Sequence, residues 1–361
     1  MVANFRLTFA ASCPPESASD VVQPNPIPGG SLPSHPTEPA RALIQDTIPC
    51  DAILPWTEYG DPELRRQTLP RYRASGYGLV SLSLTSDAEG PEQLLHVLAR
   101  VRREVRADDT LALISNVADV HQARQAGKLA VSLNLQGSNN LGRDLNLVQL
   151  YYDLGVRQLL LVYNHKNAVG DGCHERTDGG LSRYGIELIQ TMNAVGMIVD
   201  CSHGGARTTM EAIEVSSQPV MFTHSNPKAL WRHDRNITDE QAKACAARGG
   251  LVGAVGVGIF MGDNDASTET YFRHIDYWAT LVGPDHVMLG SDYVYDPLEM
   301  QRYMRSVKSP ESGRYDQMTE FVQPEQLTPV VKRMQAAGYS DADIRGILGE
   351  NYLRVAGQIW R

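Results

Sequence analysis

The stretch Met197–Ser225, MIVDCSHGGARTTMEAIEVSSQPVMFTHS, holds two short apolar runs, Met197–Cys201 and Pro219–Thr223, closed by His203 and His224. Between them Ala206–Val215 has the apolar spacing of a helix with one buried face. Strand, polar turn, helix and strand in that order form the unit of a parallel sheet. Parallel neighbours need a crossover long enough to return the chain to its starting edge.

The same unit repeats on both sides. Further apolar runs fall at Ile48–Leu54, Tyr77–Leu84, Leu129–Leu135, Gln158–Tyr163, Leu251–Val257 and Val287–Gly290, with helix-like stretches at Pro91–Glu104, Gly180–Val195, Asp239–Arg248 and Thr268–Val282. Eight runs match the strand number of a closed α/β barrel of the (β/α)8, TIM-like type. Leu111–Ser115 reads as a ninth short strand. A doubly wound open sheet is the competing architecture, but no Gly-x-Gly-x-x-Gly turn follows the first run. Asp341–Trp360 reads as a closing helix capped by Asp341. Eight prolines between Cys13 and Pro39, mixed with Ser, Gly and Asn, leave too little apolar surface to offset ordering entropy. The expected organisation is an irregular arm over residues 1–44 and a barrel over residues 45–361.

The chain has 361 residues, 42% hydrophobic and 21% charged, the balance of a globular protein with a substantial core. Its net charge of -9 argues against nucleic acid as a partner. The longest apolar run, Leu251–Met261, is too short to span a bilayer. Five scattered cysteines, Cys13, Cys50, Cys173, Cys201 and Cys245, imply no disulfide framework. The apolar patch Leu7–Ala11 is short for a signal peptide. The Ala-Ala-Ser before Cys13 only faintly matches a lipoprotein cleavage site, so a cytoplasmic location is expected.

In a barrel, the loops after the strands converge on one face, so ionisable residues ending the runs are the candidates for chemistry. His203 and His224 end consecutive runs, and Asp292 ends the last, in Val287-Met288-Leu289-Gly290-Ser291-Asp292. Imidazole and carboxylate suit zinc or another divalent first-row metal. A single histidine at a strand end is more often structural; three convergent groups make a site an even competitor. His165 and His174 read as loop residues, and Cys201 as a small buried apolar side chain.

Gly196-Met197-Ile198-Val199-Asp200-Cys201-Ser202-His203, Phe222-Thr223-His224-Ser225-Asn226, His233-Asp234-Arg235-Asn236-Ile237 and Gly290-Ser291-Asp292-Tyr293 together resemble the membrane (renal) dipeptidase family of metallopeptidases. The resemblance is strong from Tyr151 to Asp296 and returns in Gly346–Tyr352. It implies a (β/α)8 barrel that hydrolyses dipeptides with water activated by bridged zinc ions, often as a dimer. By motif match, His203 and His224 hold the second metal, Arg235 holds the substrate carboxylate, and Asp292 handles the proton of the attacking water.

The chain also departs from that pattern. Where the family has His-x-Asp before Leu-Pro, this chain has Asp51-Ala52-Ile53. The bridging glutamate falls on Gln136, and a strand-four histidine on Tyr163. Asp51 remains a candidate ligand; Ile53 does not, and an amide is a poor bridge. The expected cofactor is therefore one zinc ion on His203, His224 and Asp51, with Gln136, Tyr163 and Arg235 facing substrate. Three functions follow: a one-metal hydrolase of a dipeptide-like amide, a metal-poor enzyme of a specialised biosynthetic pathway acting on an amino-acid-derived substrate, or a non-catalytic binding protein.

Overall fold

Nine parallel strands appear in a computed structural model that describes residues 38–56, 60–306 and 318–361. They are β1 (Cys50–Pro55), β2 (Leu79–Ser86), β3 (Leu111–Leu113), β4 (Leu129–Gln136), β5 (Val156–Leu160), β6 (Ile198–Asp200), β7 (Met221–Phe222), β8 (Leu251–Ala254) and β9 (Val287–Leu289). Hydrogen bonding runs in the order β1-β2-β4-β5-β6-β7-β8-β9. The two ends of that order meet where Asp292 N–H donates to the Ile53 carbonyl at 3.3 Å. The result is a nearly closed barrel of eight strands with alternating helices, as the run count predicts. The ninth run, β3, lies off this path and pairs only with residues 129–131 of β4.

Alternation along each strand sorts side chains between the helical layer and the lumen. In β2 and β4, Val80, Leu82, Val131 and Leu133 join the large cluster beneath the helices, whereas Leu79 and Ala130 join a second cluster with Cys50, Ala52, Ile198, Met221, Leu251 and Met288. That second cluster fills the lumen at the strand starts. Tyr352, Val355 and Ala356 of the C-terminal helix, and Trp360 just past its end, complete it. Toward the strand ends the buried residues turn polar: Asp51, Ser81, Ser132, Asn134, Gln158, Asp200 and Thr223. A dry plug at one end thus supports a hydrogen-bonded floor at the other.

Three boundaries differ from expectation. Pro39–Asp46 is helical, with Ala40, Leu43 and Ile44 buried in the main core, so ordered structure begins inside the segment assigned to the arm. Residues 1–37, which hold the proline-rich stretch and Cys13, lie outside the described residues. The closing helix is broken into Asp341–Arg345, Gly346–Glu350 and Asn351–Ile359, and its cap is Ser340, whose hydroxyl accepts from Asp343 N–H at 3.1 Å. The break has a packing cause. A Cβ on Gly349 would stand 2.0 Å from the Ile48 carbonyl oxygen, so only glycine lets this turn seat against the start of β1.

Gly253 and Gly290 serve similar close packing. A Cβ at either would meet the Thr223 carbonyl oxygen at 2.0 or 1.8 Å. Tight approach of β8 and β9 to β7, rather than room for a ligand, accounts for both.

Candidate active site

The strand ends open into a cavity of about 370 Å³, lined among others by Gln136, Tyr163, Asn164, His203, Arg235 and Asp292. These come from segments following β4, β5, β6, β7 and β9, so the convergence that strand-end reading expects is present. His224 is fully buried and does not line the cavity; it stands behind His203, with the two Nε2 atoms 2.9 Å apart.

Asn164, His203 and Asp292 all have positive φ, at 62°, 65° and 53°. Each such residue costs roughly 1–2 kcal/mol and persists only where its surroundings over-determine it. For Asp292 the constraint comes from β1. Asp51 Oδ1 accepts from Ser291 N–H at 2.9 Å and Ile53 N–H at 3.3 Å. Its Oδ2 accepts from the Tyr72 hydroxyl at 3.0 Å and from the Ser291 hydroxyl. Burial raises the Asp51 pKa, and these same donors oppose the rise.

Asp51 is therefore not available to a metal in the cavity, contrary to expectation. Its lone pairs are used, it is fully buried, and it holds the turn carrying Asp292. Asp51→Ala is expected to lower stability by roughly 2–4 kcal/mol by stranding buried donors, with metal content unchanged. Urea denaturation and elemental analysis check this; a folded variant that loses its metal would restore Asp51 as a ligand.

Hydrogen-bond partners set the histidine tautomers. The Thr223 hydroxyl donates to Asp200 Oδ2 at 2.5 Å, so it accepts at 2.7 Å from His224 Nδ1–H. Asn164 Oδ1, which also accepts from the Cys173 thiol, takes His203 Nδ1–H at 2.6 Å. In that arrangement both Nε2 lone pairs are open to one shared cation; with the Asn164 amide reversed, His203 Nε2–H donates to His224 Nε2 instead. Burial first, and then the charge of Arg235, hold both imidazoles well below their ordinary pKa, which disfavours an added proton. The two Nε2 atoms are the donors available here to one divalent cation, its remaining positions being left to water or substrate.

A second cation does not fit. Ile53 offers no donor, Asp51 is consumed, and Gln136 is an amide whose Nε2 donates to Ser83 Oγ at 3.1 Å. Among the described residues, no three His, Cys, Asp or Glu side chains are grouped to hold a metal.

Arg235 is 2% exposed. Its Nη2 donates to the His224 carbonyl at 3.2 Å, while Nε and Nη1 have no partner. A buried guanidinium with open donors on a cavity calls for an anion. Burial pushes the Asp292 carboxyl up to about 7, with Arg235 opposing and Asp51 and Asp200 adding to the rise.

Strand-end reading missed Asn164 and Asp87. Asn164 orients His203. Asp87 accepts from Tyr163 N–H at 2.9 Å and from Asn167 Nδ2 at 2.9 Å, fixing the loop that stacks Tyr163 on His203 with centroids 4.2 Å apart. The available signals were an asparagine, tolerant of positive φ, just past a strand, and an aspartate just past β2. His165 and His174 lie outside the lining, their ring centroids 6.0 Å apart. Cys201 is buried with its pKa driven up, as an inert thiol. No helix among the described residues is long and apolar enough to cross a membrane.

Comparison with known proteins accords with this geometry. The family model for membrane dipeptidase (peptidase family M19) matches residues 56–306. The chain is 30% identical over 265 residues, 70% of its length and 90% of the other's, to the uncharacterized protein in the pqqA 5' region of Klebsiella pneumoniae. It is 31% identical over 256 residues, 69% of its length, to an uncharacterized dipeptidase of Schizosaccharomyces pombe, of which it spans only 55%. A crystal structure of an amidohydrolase from Pseudomonas aeruginosa superposes with a TM-score of 0.79 at 26% identity, over 89% of this chain and 99% of that one. With the family model matched over well more than half of the chain, on a barrel whose strand ends carry the residues described above, this protein belongs to the membrane dipeptidase family and is a dipeptidase-like metallohydrolase.

Proposed function

We propose that the protein hydrolyses an amide bond in a dipeptide-like small molecule with one bound divalent ion, zinc being the family's usual choice. The observation that carries this reading is the guanidinium of Arg235, with Nε and Nη1 unpartnered, on the same cavity as His203 and Asp292. Arg235 receives the substrate carboxylate through an open N–H edge of its guanidinium, which fixes the amide relative to the strand ends. Asp292, when ionised, accepts the proton of the attacking water and returns it to the leaving amine. Tyr163 holds the His203 ring by stacking, and with Gln136 it presents neutral hydrogen-bonding groups to the substrate. His203 and His224 would hold the ion, which when bound would supply Lewis acidity at the strand ends.

The test is dipeptide turnover by chelator-treated protein with and without added zinc or manganese. Turnover restored by metal supports the reading; none under any metal condition ends it. Arg235→Ala is expected to reduce kcat/KM by roughly 10²–10³-fold, mostly through KM, because a buried charge pair of this kind is worth about 3–4 kcal/mol. Steady-state kinetics on a cleaved dipeptide check it, and an unchanged KM would detach Arg235 from the substrate.

A further inference from the structure

Beyond Arg235 the cavity wall becomes apolar, and the two features adjoin. The guanidinium carbon of Arg235 lies 5.4 Å from the Phe260 ring centroid. Val257, Ile259 and Phe260 follow β8, Val294 and Tyr295 follow Asp292, and Phe321 arrives on a later segment; all six line the cavity. That later segment is fastened in place. Gly258 N–H donates to the Glu320 carbonyl and Val322 N–H to the Gly256 carbonyl, each at 2.8 Å. Two acidic residues that also line the cavity are engaged elsewhere. Glu89 accepts from Ser86 N–H at 2.7 Å, and Asp296 from the N–H groups of Asp61 and Glu299 at 2.9 and 3.0 Å.

We propose that the substrate residue bearing the carboxylate carries a large apolar side chain, seated against Val257, Phe260 and Phe321. This rests on the reading of Arg235 as the carboxylate anchor. Once that carboxylate is held beside Phe260, the side chain on the adjacent carbon must face either this wall or solvent. Burial of a leucine- or phenylalanine-sized group selects the wall, at a gain on the order of 10²-fold over glycine. An acidic side chain there would lose its hydration with no cation at hand beyond Arg235, which the carboxylate already occupies.

Two assays separate this inference from the hydrolase reading. The first is kcat/KM for dipeptides with one N-terminal residue and C-terminal Gly, Asp, Leu or Phe. The second is calorimetric binding of N-acetylphenylalanine against N-acetylglycine, which needs no bond cleavage. The expected result is a Phe-to-Gly preference on the order of 10²-fold in both assays, reduced at least tenfold in Phe321→Ala. If nothing is cleaved but N-acetylphenylalanine is still preferred, the apolar subsite stands and hydrolysis falls. If dipeptides are cleaved with equal preference for Gly and Phe, or with Asp preferred, the subsite is overturned and hydrolysis stands. Absence of both binding and cleavage overturns both. Should Phe321→Ala fail to fold, the wild-type comparison alone decides.

Discussion

Asparagine in place of Asp292 is expected to lower kcat by roughly 10²–10⁴-fold with little change in KM, the effect of deleting a positioned proton acceptor. The substitution is isosteric, and asparagine tolerates the positive φ of 53°, so the turn held by Asp51 is kept. The pH dependence gives a second check. Without a bound cation the Asp292 carboxyl titrates at about 7, because burial disfavours its charge; a nearby cation moves it lower. The group accepts a proton only when ionised, so wild-type activity rises with pH through the midpoint of the metal-bound protein, below about 7, and the residual activity of the variant lacks this limb. The stability effect has the opposite sign. Between about pH 4 and 7 the unfolded chain releases this proton while the folded one retains it, so Asp292 makes the fold less stable as pH rises through about 7. The asparagine variant is therefore expected to be at least as stable as wild type at pH 8, by chemical denaturation. An unchanged kcat would remove Asp292 from the chemistry.

His203→Ala and His224→Ala should each take bound metal from about one ion per chain to near zero, since a site with two imidazole donors cannot lose half of them. Elemental analysis after exhaustive dialysis measures this. The two variants should differ in one respect. His203 lines the cavity and stacks on Tyr163, so its loss also opens space beside the substrate, whereas His224 is sealed behind it. Metal content unchanged in either variant would place the ion elsewhere and defeat the one-ion reading.

Local pattern made the barrel legible. Apolar runs alternate with helices of 3.6-residue period, and both signals lie within a few residues of chain. Even β7, only Met221–Phe222, was evident from its run, because burial on both faces demands continuous apolar residues whatever the length of the ladder. His203, His224 and Asp292 were legible for a related reason: each follows a run closely, and the fold places all such positions on one face; Arg235 was legible only through the family motif around it. Asp51 stood as a ligand only by its place in the altered His-x-Asp motif, and that misled. Its position after Cys50 is visible in the chain, but its partners Tyr72 and Ser291 are not, the latter lying 240 positions away. The broken C-terminal helix was hidden likewise, since a glycine inside a helical pattern does not reveal the Ile48 carbonyl pressed against it.

By itself, then, the amino-acid order determined the strand count, the face on which chemistry gathers, and three of the groups at the strand ends, because periodicity and strand-end position are local properties. Only the folded molecule decided that Asp51 supports a turn instead of binding an ion, that two imidazole Nε2 atoms stand 2.9 Å apart, and that Arg235 keeps two donors free beside an apolar wall. Those outcomes depend on which groups compete for the same lone pair or proton, and the competitors come from distant parts of the chain.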